Sequence, residues 1–275
     1  MAFFSYAHSI APQAHLRLYT DGDYLSPSLL LALASSGLSE LRLSVKPDEP
    51  NAYAEGLKKL ALAQEYIPAV MVEMPVLPYM VPEMRDFLKK LDEMSVFGVN
   101  LLELGYPFNA WGPFAERGLC LKNPPFAVSY DYSYAGGLPV AGSELACLYL
   151  LEFALDEGME MGVHYCSLEN KNRMQIYFQN TQVALSDDVW EFDGDDFFWK
   201  TIKLFDGDAA DAVSALENLG VPWEEEDEGV LRVHPRHRAL LLDLGTVPAL
   251  SWNVIEESSN GWLIREVALE LPDNL

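Results

Sequence analysis

The feature that most constrains the fold is a regular alternation of one buried strand and one helix along the first two-thirds of the chain. The predicted strands begin at residues 16, 41, 69 and 98, and they recur every 25 to 29 residues. Each is a nearly continuous apolar run, typical of a strand that is buried on both faces. This spacing predicts βα units with right-handed crossovers in a parallel sheet, either a (β/α)8-type barrel or an open doubly wound sheet.

Capping residues mark several of the intervening helices. Ser26 and Pro27 predict the start of the first helix, and Gly37 predicts its end. Ser143 is the predicted N-cap of a later helix that Gly158 ends, and a further strand, "MGVHYC", follows it. The Pro-, Gly- and aromatic-rich segment between residues 104 and 126 predicts a long functional loop.

A change in composition near residue 187 predicts a domain boundary. Residues 1–186 carry the βα pattern, whereas residues 187–275 begin with the acidic segment "DDVWEFDGDD" and predict a small α+β domain. Its predicted parts are the strand "FWKTIKLF", a helix from Asp208, the acidic turn "EEEDEG" and the strands "VLRVHP" and "WLIREVALEL".

Charge and cysteine content exclude several classes of protein. The chain has 42 acidic and 18 basic residues and a formal net charge of −24, which disfavours a nucleic-acid partner. No apolar run reaches the roughly 18 residues of a membrane-spanning helix, and no signal peptide is recognisable, so a cytoplasmic location is expected. The cysteines Cys120, Cys147 and Cys166 have no C-x2-C spacing and are expected to be reduced core thiols.

Polar residues at the carboxyl ends of the predicted strands are the candidate site residues, because active sites of parallel βα folds lie at that edge. The sequence contains no dinucleotide fingerprint, P-loop, nucleophile elbow or H-E-x-x-H motif. The candidates are Thr20, Asp21, Gly22, Ser44, Glu73, Asn100, Glu103, His164 and Asn170.

Each candidate also has a structural interpretation. Asp21-Gly22 is a common turn sequence. Glu73 and Glu103 are costly inside apolar strands unless they are paired, and Arg42 or Arg17 could pair with them. His164 and Cys166 share one strand face but give only two metal ligands, so no metal site is predicted and a core histidine is favoured.

The residues "LRLYTDGDYLS…LLLALASSGLSELRLSV" resemble the third and fourth strands of the radical S-adenosylmethionine (radical SAM) family, in which a strand ends in Thr-Asn-Gly. Asp21 stands at the position of that asparagine. "VMVEMPVLP" and "GVNLLELGYP" are similar to the fifth and sixth strands, and "GLPVAGSE…HYCSLENK" resembles a downstream segment of one branch. The resemblance covers residues 16–176 and implies a partial (β/α) barrel of parallel strands.

Two hallmarks of that family are absent from the sequence. The C-x3-C-x2-C triplet, which holds a [4Fe-4S] cluster through three thiolates, does not occur, and neither does the glycine-rich segment that contacts the cofactor. No cofactor is therefore expected for this chain alone. S-adenosylmethionine and the cluster are expected only if a missing amino-terminal segment completes the core.

The resemblance implies roles for the candidates within a cleft. It places Thr20, Asp21, Gly22, Ser44 and Glu73 near the cofactor, and it places the remaining candidates in the substrate cleft: Asn100, Glu103, His164 and Asn170. Three hypotheses remain open. The chain is the carboxyl-terminal part of a radical SAM enzyme, a degenerate binding or scaffold subunit of that fold, or an unrelated α/β enzyme that uses Glu73 and Glu103 as acid and base.

The first strand carries a prediction about partners. Residues 16–19 would form an apolar edge of the sheet with unpaired backbone groups, which proteins normally cover. We expect the segment 1–15, the carboxyl-terminal domain or a second copy of the chain to cover this edge. The chain is therefore predicted to bind an amino-terminal half-barrel partner or to form a homodimer through this edge.

Overall fold

The computed structural model describes residues 2–46, 48, 50–107, 109, 111–127, 137–226, 229–259 and 261–272. The chain divides into two compact units. The first comprises Met1–Pro125 and Gly136–Leu168, and the second comprises Phe126–Ala135 and Glu169–Leu275. Within the described ranges, every helix is too short or too polar to cross a membrane.

The first unit is an α/β structure around a parallel sheet. Its strands follow the order β1-β2-β3-β4-β7, and every neighbouring pair is parallel. The predicted parallel α/β class is therefore confirmed. The elements are α1 (Ala2–Ile10), β1 (Arg17–Thr20), α2 (Pro27–Ser35), β2 (Glu40–Ser44), α3 (Pro50–Gln64), β3 (Ala69–Val76), α4 (Val81–Glu93), β4 (Gly98–Glu103), β5 (Gly105–Tyr106), α5 (Gly112–Glu116), β6 (Leu138–Pro139), α6 (Ser143–Asp156) and β7 (Gly162–Cys166).

One face of this sheet, which we call the outer face, packs against helices α2, α3, α4 and α6. Alternate strand residues such as Leu43, Val72 and Leu101 join helical residues such as Leu60 and Phe87 in a single hydrophobic core. Four helices on one face, with strands in sequential order, are consistent with a partial (β/α) barrel, in which helices form an outer ring. A doubly wound sheet would carry helices on both faces.

The helix ends follow the capping rules in part. The Ser26 hydroxyl accepts a hydrogen bond from the Leu29 amide at 3.3 Å, as predicted for the N-cap of α2. Gly37 lies beyond the end of that helix at φ +88°. The N-cap prediction for α6 was wrong, because Gly142 occupies that position and Ser143 is the first helical residue. The Ser143 side chain bonds to the sheet instead.

The first strand lies at one edge of the sheet. The carbonyl of Leu16 accepts hydrogen bonds from the amides of Ser39 and Glu40, and β1 pairs with β2 on that side. Within the residues that the structure describes, no strand pairs with its opposite side, and Arg17 and Tyr19 are exposed. The expected cover of this edge stays a prediction.

The second unit contains an antiparallel sheet of order β10-β11-β9-β12-β13, with β8 paired to β9. Helix α8 packs on it through a separate core that includes Ile202, Leu216 and Val233. The elements are α7 (Leu168–Asn180), β8 (Glu191–Phe192), β9 (Trp199–Leu204), α8 (Asp206–Leu219), β10 (Trp223–Glu226), β11 (Val230–Val233), α9 (Arg238–Asp243), β12 (Ala249–Ser258) and β13 (Gly261–Glu270).

Sequence patterns missed three strands of this unit, β8, β10 and β12, and β8 lies within the acidic segment at the start of the predicted domain. Residues 224–226 were assigned to an acidic turn but belong to β10 (Trp223–Glu226), where Lys203 stabilises Glu226 by an ion pair of 2.9 Å. Residues 227–228 of that predicted turn lie outside the described residues, and Gly229 lies in a turn. Strand β12 was not predicted, because a β-bulge between Trp252 and Asn253 interrupts its alternation.

Ser143 gives a test of how α6 is fixed to the sheet. Its buried hydroxyl donates to the Val76 carbonyl at 2.9 Å and accepts from the Leu104 amide at 2.8 Å. We expect Ser143→Ala to lower the free energy of unfolding by about 1–3 kcal/mol, because two buried backbone groups lose their partner. Urea denaturation measures this loss. The control Ser35→Ala removes an exposed hydroxyl that bonds within α2, and a loss of equal size there would contradict the assignment.

Candidate functional site

The face of the parallel sheet opposite the helices, which we call the inner face, carries a row of polar side chains. In the strand register, Ser44 lies beside Glu73, Glu73 beside Asn100, and Asn100 beside His164. Residues that are paired across parallel strands project to the same face. The row therefore crosses four neighbouring strands, β2, β3, β4 and β7.

Hydrogen bonds connect this row into what we call the inner-face network. Arg42 donates through Nη1 to Oε1 of Glu73 at 2.9 Å. The other Glu73 oxygen accepts from Nδ2 of Asn100 at 2.9 Å, and Nδ1 of His164 lies 2.6 Å from Oδ1 of Asn100. Glu73 and Asn100 are almost fully buried, whereas His164 is exposed.

The network continues from Arg42 to the edge of the sheet. The Nε atom of Arg42 donates to Oε1 of Glu40, and Nε2 of His15 lies 2.7 Å from Oε2 of Glu40. Arg17 adds a longer contact of 3.6 Å to the same carboxylate. Arg42 thus bridges two buried carboxylates, and an exposed histidine terminates each end of the network.

Burial and ion pairing shift the pKa values of Glu40 and Arg42 in opposite directions. Burial alone raises the pKa of Glu40, but hydrogen bonds from Arg42 and His15 outweigh it, and the net pKa is lowered. Burial alone lowers the pKa of Arg42, and its bonds to Glu40 and Glu73 outweigh that effect, so the net pKa is raised. Both groups are therefore held in their charged forms by each other.

The candidates at the end of β1 form a turn. Thr20 Oγ1 accepts from the Gly22 amide at 3.0 Å, and Asp21 Oδ1 accepts from the Asp23 amide at 3.2 Å. Gly22 adopts φ +79°, and a Cβ there would lie 2.7 Å from Cδ1 of Leu43. Thr20 pairs with Leu43 in the strand register, so its side chain projects to the outer face. Ser44 and Glu73 project to the inner face.

Glu103 does not join the inner-face network. Its partner in the strand register is Val76, a member of the helix-covered core, so Glu103 lies on the outer face. Its Oε2 atom accepts from the Tyr165 hydroxyl at 2.9 Å and from the amide of Leu168, the first residue of α7, at 2.7 Å. Glu73 and Glu103 therefore project to opposite faces of the sheet.

One candidate lies in the second unit, and two residues of the inner-face network were not predicted. Asn170 is exposed in α7 and belongs to the second unit. The sequence prediction missed His15 and Glu40, and it named Arg42 only as an ion-pair partner. The alternation in "ELRLS", residues 40–44, was the available signal, because it places Glu40 and Arg42 on one face and two leucines on the other.

The cysteines do not provide a cluster site within the described residues. Cys120 is exposed, so the prediction that all three are core thiols is wrong for it, and Cys166 is half-buried. Cys147 is buried in α6, and burial raises the pKa of its thiol, which opposes formation of a thiolate ligand. In the described ranges, no three His, Cys, Asp or Glu side chains are grouped to hold a metal ion.

A cavity of about 250 Å³ lies near the carboxyl ends of β2, β3 and β4. Apolar side chains form most of its wall, and Arg117 donates to Asp48 at 3.0 Å beside it. A mostly apolar cavity with a few charged groups is typical of a small-molecule site. Its lining residues are Lys46, Asp48, Pro75, Leu77, Leu104, Phe114, Arg117 and Leu119.

Comparison with known proteins finds a distant relative. A Methanocaldococcus jannaschii protein named "Putative glycyl-radical enzyme activating enzyme" is 26% identical over an alignment of 230 residues, and the match covers 78% of this chain. The match covers 56% of that protein, so the chain spans little more than half of its length. No family model matches the chain.

Arg42 is the residue on which the network should depend most strongly. We expect Arg42→Ala to lower the free energy of unfolding by about 3–5 kcal/mol, because Glu40 and Glu73 would remain buried without a cation. The matched control is Arg117→Ala, since the Arg117 side chain is 52% exposed in its pair with Asp48. That change should cost at most about 1 kcal/mol. Equal losses for both variants in urea denaturation would contradict the proposed importance of Arg42.

Glu40 should contribute to acid sensitivity. Its folded pKa lies below the ordinary value of 4.5, so its contribution to stability is present above that value and is lost as pH falls through the folded pKa. As the pH is lowered from about 5 to about 3, the free energy of unfolding should fall less for Glu40→Gln than for the unmodified chain. Denaturation curves across this range measure the difference. Parallel pH dependences in the two proteins would show that Glu40 is not responsible.

Proposed function

We propose that this chain supplies the carboxyl-terminal part of a radical SAM-like core and that another segment or partner chain supplies the cluster-binding triplet. The observation that carries the proposal is the inner-face network, because it places buried charged residues on the face of a parallel sheet that would line the interior of a barrel. The sequence resemblance over residues 16–176 and the distant relative support the same family.

The proposal assigns the cleft to specific positions. Ser44 is exposed on the inner face beside Glu73, where it could hydrogen-bond the cofactor S-adenosylmethionine, as the resemblance implies. Gly22 keeps the turn after β1 close to Leu43 and Lys59, so the turn can form one rim of the cleft. Asn100 and His164 would face the substrate. Local hydrogen bonds hold Thr20, Asp21 and Glu103, so their proposed contribution to this cleft is indirect. Asn170 belongs to the second unit.

The second candidate function is a scaffold or binding subunit of the same fold. It is favoured because both carboxylate oxygens of Glu73 already have hydrogen-bond donors: one oxygen accepts from Arg42 and the other from Asn100. A carboxylate that is satisfied on both oxygens needs no ligand to remain buried. The two functions differ in whether the cleft binds S-adenosylmethionine.

A co-expression experiment tests the proposal. The DNA upstream of this coding sequence is read for a frame that encodes C-x3-C-x2-C, and the encoded segment is produced together with this chain. After anaerobic reconstitution with iron and sulfide, we expect the complex to form 5′-deoxyadenosine from S-adenosylmethionine in the presence of dithionite. The chain alone should form none, since its sequence contains no C-x3-C-x2-C triplet.

Two variants separate a contribution of this chain from that of its partner. Ser44→Val should weaken binding of S-adenosylmethionine to the complex in calorimetry, whereas Ser28→Val, at an exposed position of α2, should not. A complex that assembles but binds no S-adenosylmethionine would support the scaffold function. The radical SAM proposal would be wrong if no upstream reading frame encodes the triplet and the chain does not bind S-adenosylmethionine.

A further inference from the structure

The chemistry of the inner-face network fixes the direction of each hydrogen bond in it. Arg42 has only donors, so the Glu73 oxygen at 2.9 Å must accept from it. A carboxylate has only acceptors, so the second Glu73 oxygen must face the amide nitrogen of Asn100. The Asn100 amide oxygen is then left to face His164 at 2.6 Å.

This direction determines the protonation of the His164 ring. An amide oxygen can only accept, so Nδ1 of His164 must carry a proton. In the neutral imidazole, the lone pair is then on Nε2. His164 is exposed, and none of the residues that the structure describes bonds to its Nε2 atom.

We propose that Glu73, acting through Asn100, is a positioning residue that holds neutral His164 as the Nδ1–H tautomer and presents its Nε2 lone pair on the inner face. The group that this lone pair can accept from is an N–H or O–H donor. A ligand on this face would therefore present a hydroxyl or an amine to His164. The inference rests on the hydrogen-bond chain alone and does not depend on the proposed radical SAM function.

The same logic predicts the opposite tautomer at the other end of the network. Arg42 donates to one oxygen of Glu40, and the other oxygen lies 2.7 Å from Nε2 of His15. Because the carboxylate accepts, His15 must donate through Nε2–H and leave Nδ1 unprotonated. The network therefore contains an internal comparison between two histidines.

Nitrogen-15 NMR of histidine-labelled protein at about pH 8.5, where neutral imidazole dominates, reads both tautomers directly. Protonated and unprotonated ring nitrogens resonate far apart, and the chain has 5 histidines, so His164→Gln and His15→Gln assign the two signals. We expect Nδ1–H for His164 and Nε2–H for His15 in the unmodified chain. Nε2–H at His164 would overturn the proposal without requiring any variant to fold.

Glu73→Gln should reverse the tautomer of His164. The glutamine oxygen must face Arg42, so its amide group must donate to the Asn100 oxygen. The Asn100 amide then turns its nitrogen toward His164, which must accept through Nδ1 and carry its proton on Nε2. Glu40→Gln should reverse His15 by the same steps and leave His164 unchanged. A His164 signal that is unaffected by Glu73→Gln in a folded variant would refute the positioning role.

Accessibility of the lone pair is a separate readout. Diethyl pyrocarbonate acylates the unprotonated ring nitrogen of histidine, and peptide mass spectrometry locates the product. In the unmodified chain His164 should react, whereas in Glu73→Gln its rate should fall several-fold, because the lone pair then lies on Nδ1 against Asn100. Exposed His8, which lies outside the network, is the internal reference. Equal rates at His164 in the two proteins would show that Nε2 is not the presented atom.

Discussion

Arg42 provides the interaction on which the arrangement of the inner face depends. It is a half-buried cation between two nearly fully buried carboxylates, Glu40 and Glu73. Each carboxylate would be costly in this position without a cation, and a planar guanidinium can donate to two acceptors at once. By fixing Glu73, Arg42 also fixes Asn100 and, through it, His164. One side chain of β2 thereby orders polar groups on β3, β4 and β7.

The network also explains how the sheet can carry polar and apolar surfaces side by side. On the outer face, residues such as Val72 and Val99 join the helical core. On the inner face, their neighbours Glu73 and Asn100 satisfy each other. A buried polar group that is paired avoids most of its desolvation cost. The inner face can therefore remain without a helix in the first unit and still bury charged residues.

The fold alone does not determine the function of this chain, because parallel βα folds host many activities. The radical SAM-like cleft is our proposal, and it is based on the polar inner face, the adjacent cavity and the distant relative. Of the described cysteines, Cys147 is a core thiol and Cys120 is exposed, and the sequence contains no C-x3-C-x2-C triplet. The proposed function accordingly requires a second component for the cluster.

Much of the fold could be predicted from the sequence because its signals are local. The repeated strand-helix spacing predicted the parallel sheet, and Ser26, Pro27 and Gly37 predicted the limits of α2. Strands β10 and β12 were missed because their patterns are not locally apolar or regular: β10 is rich in carboxylates and β12 contains a bulge. Pairing with distant strands decides both.

The candidate site, like the fold, could be predicted from the sequence only in part. The sequence by itself determined that carboxylates and amides occur in buried strands, and it therefore identified Glu73, Asn100, Glu103 and His164 as unusual. Only the tertiary structure decided which of them meet, because strand register and side-chain alternation set the face of each residue. Glu73, Asn100 and His164 align across three strands, whereas Glu103, three residues beyond Asn100, projects to the other side of the sheet.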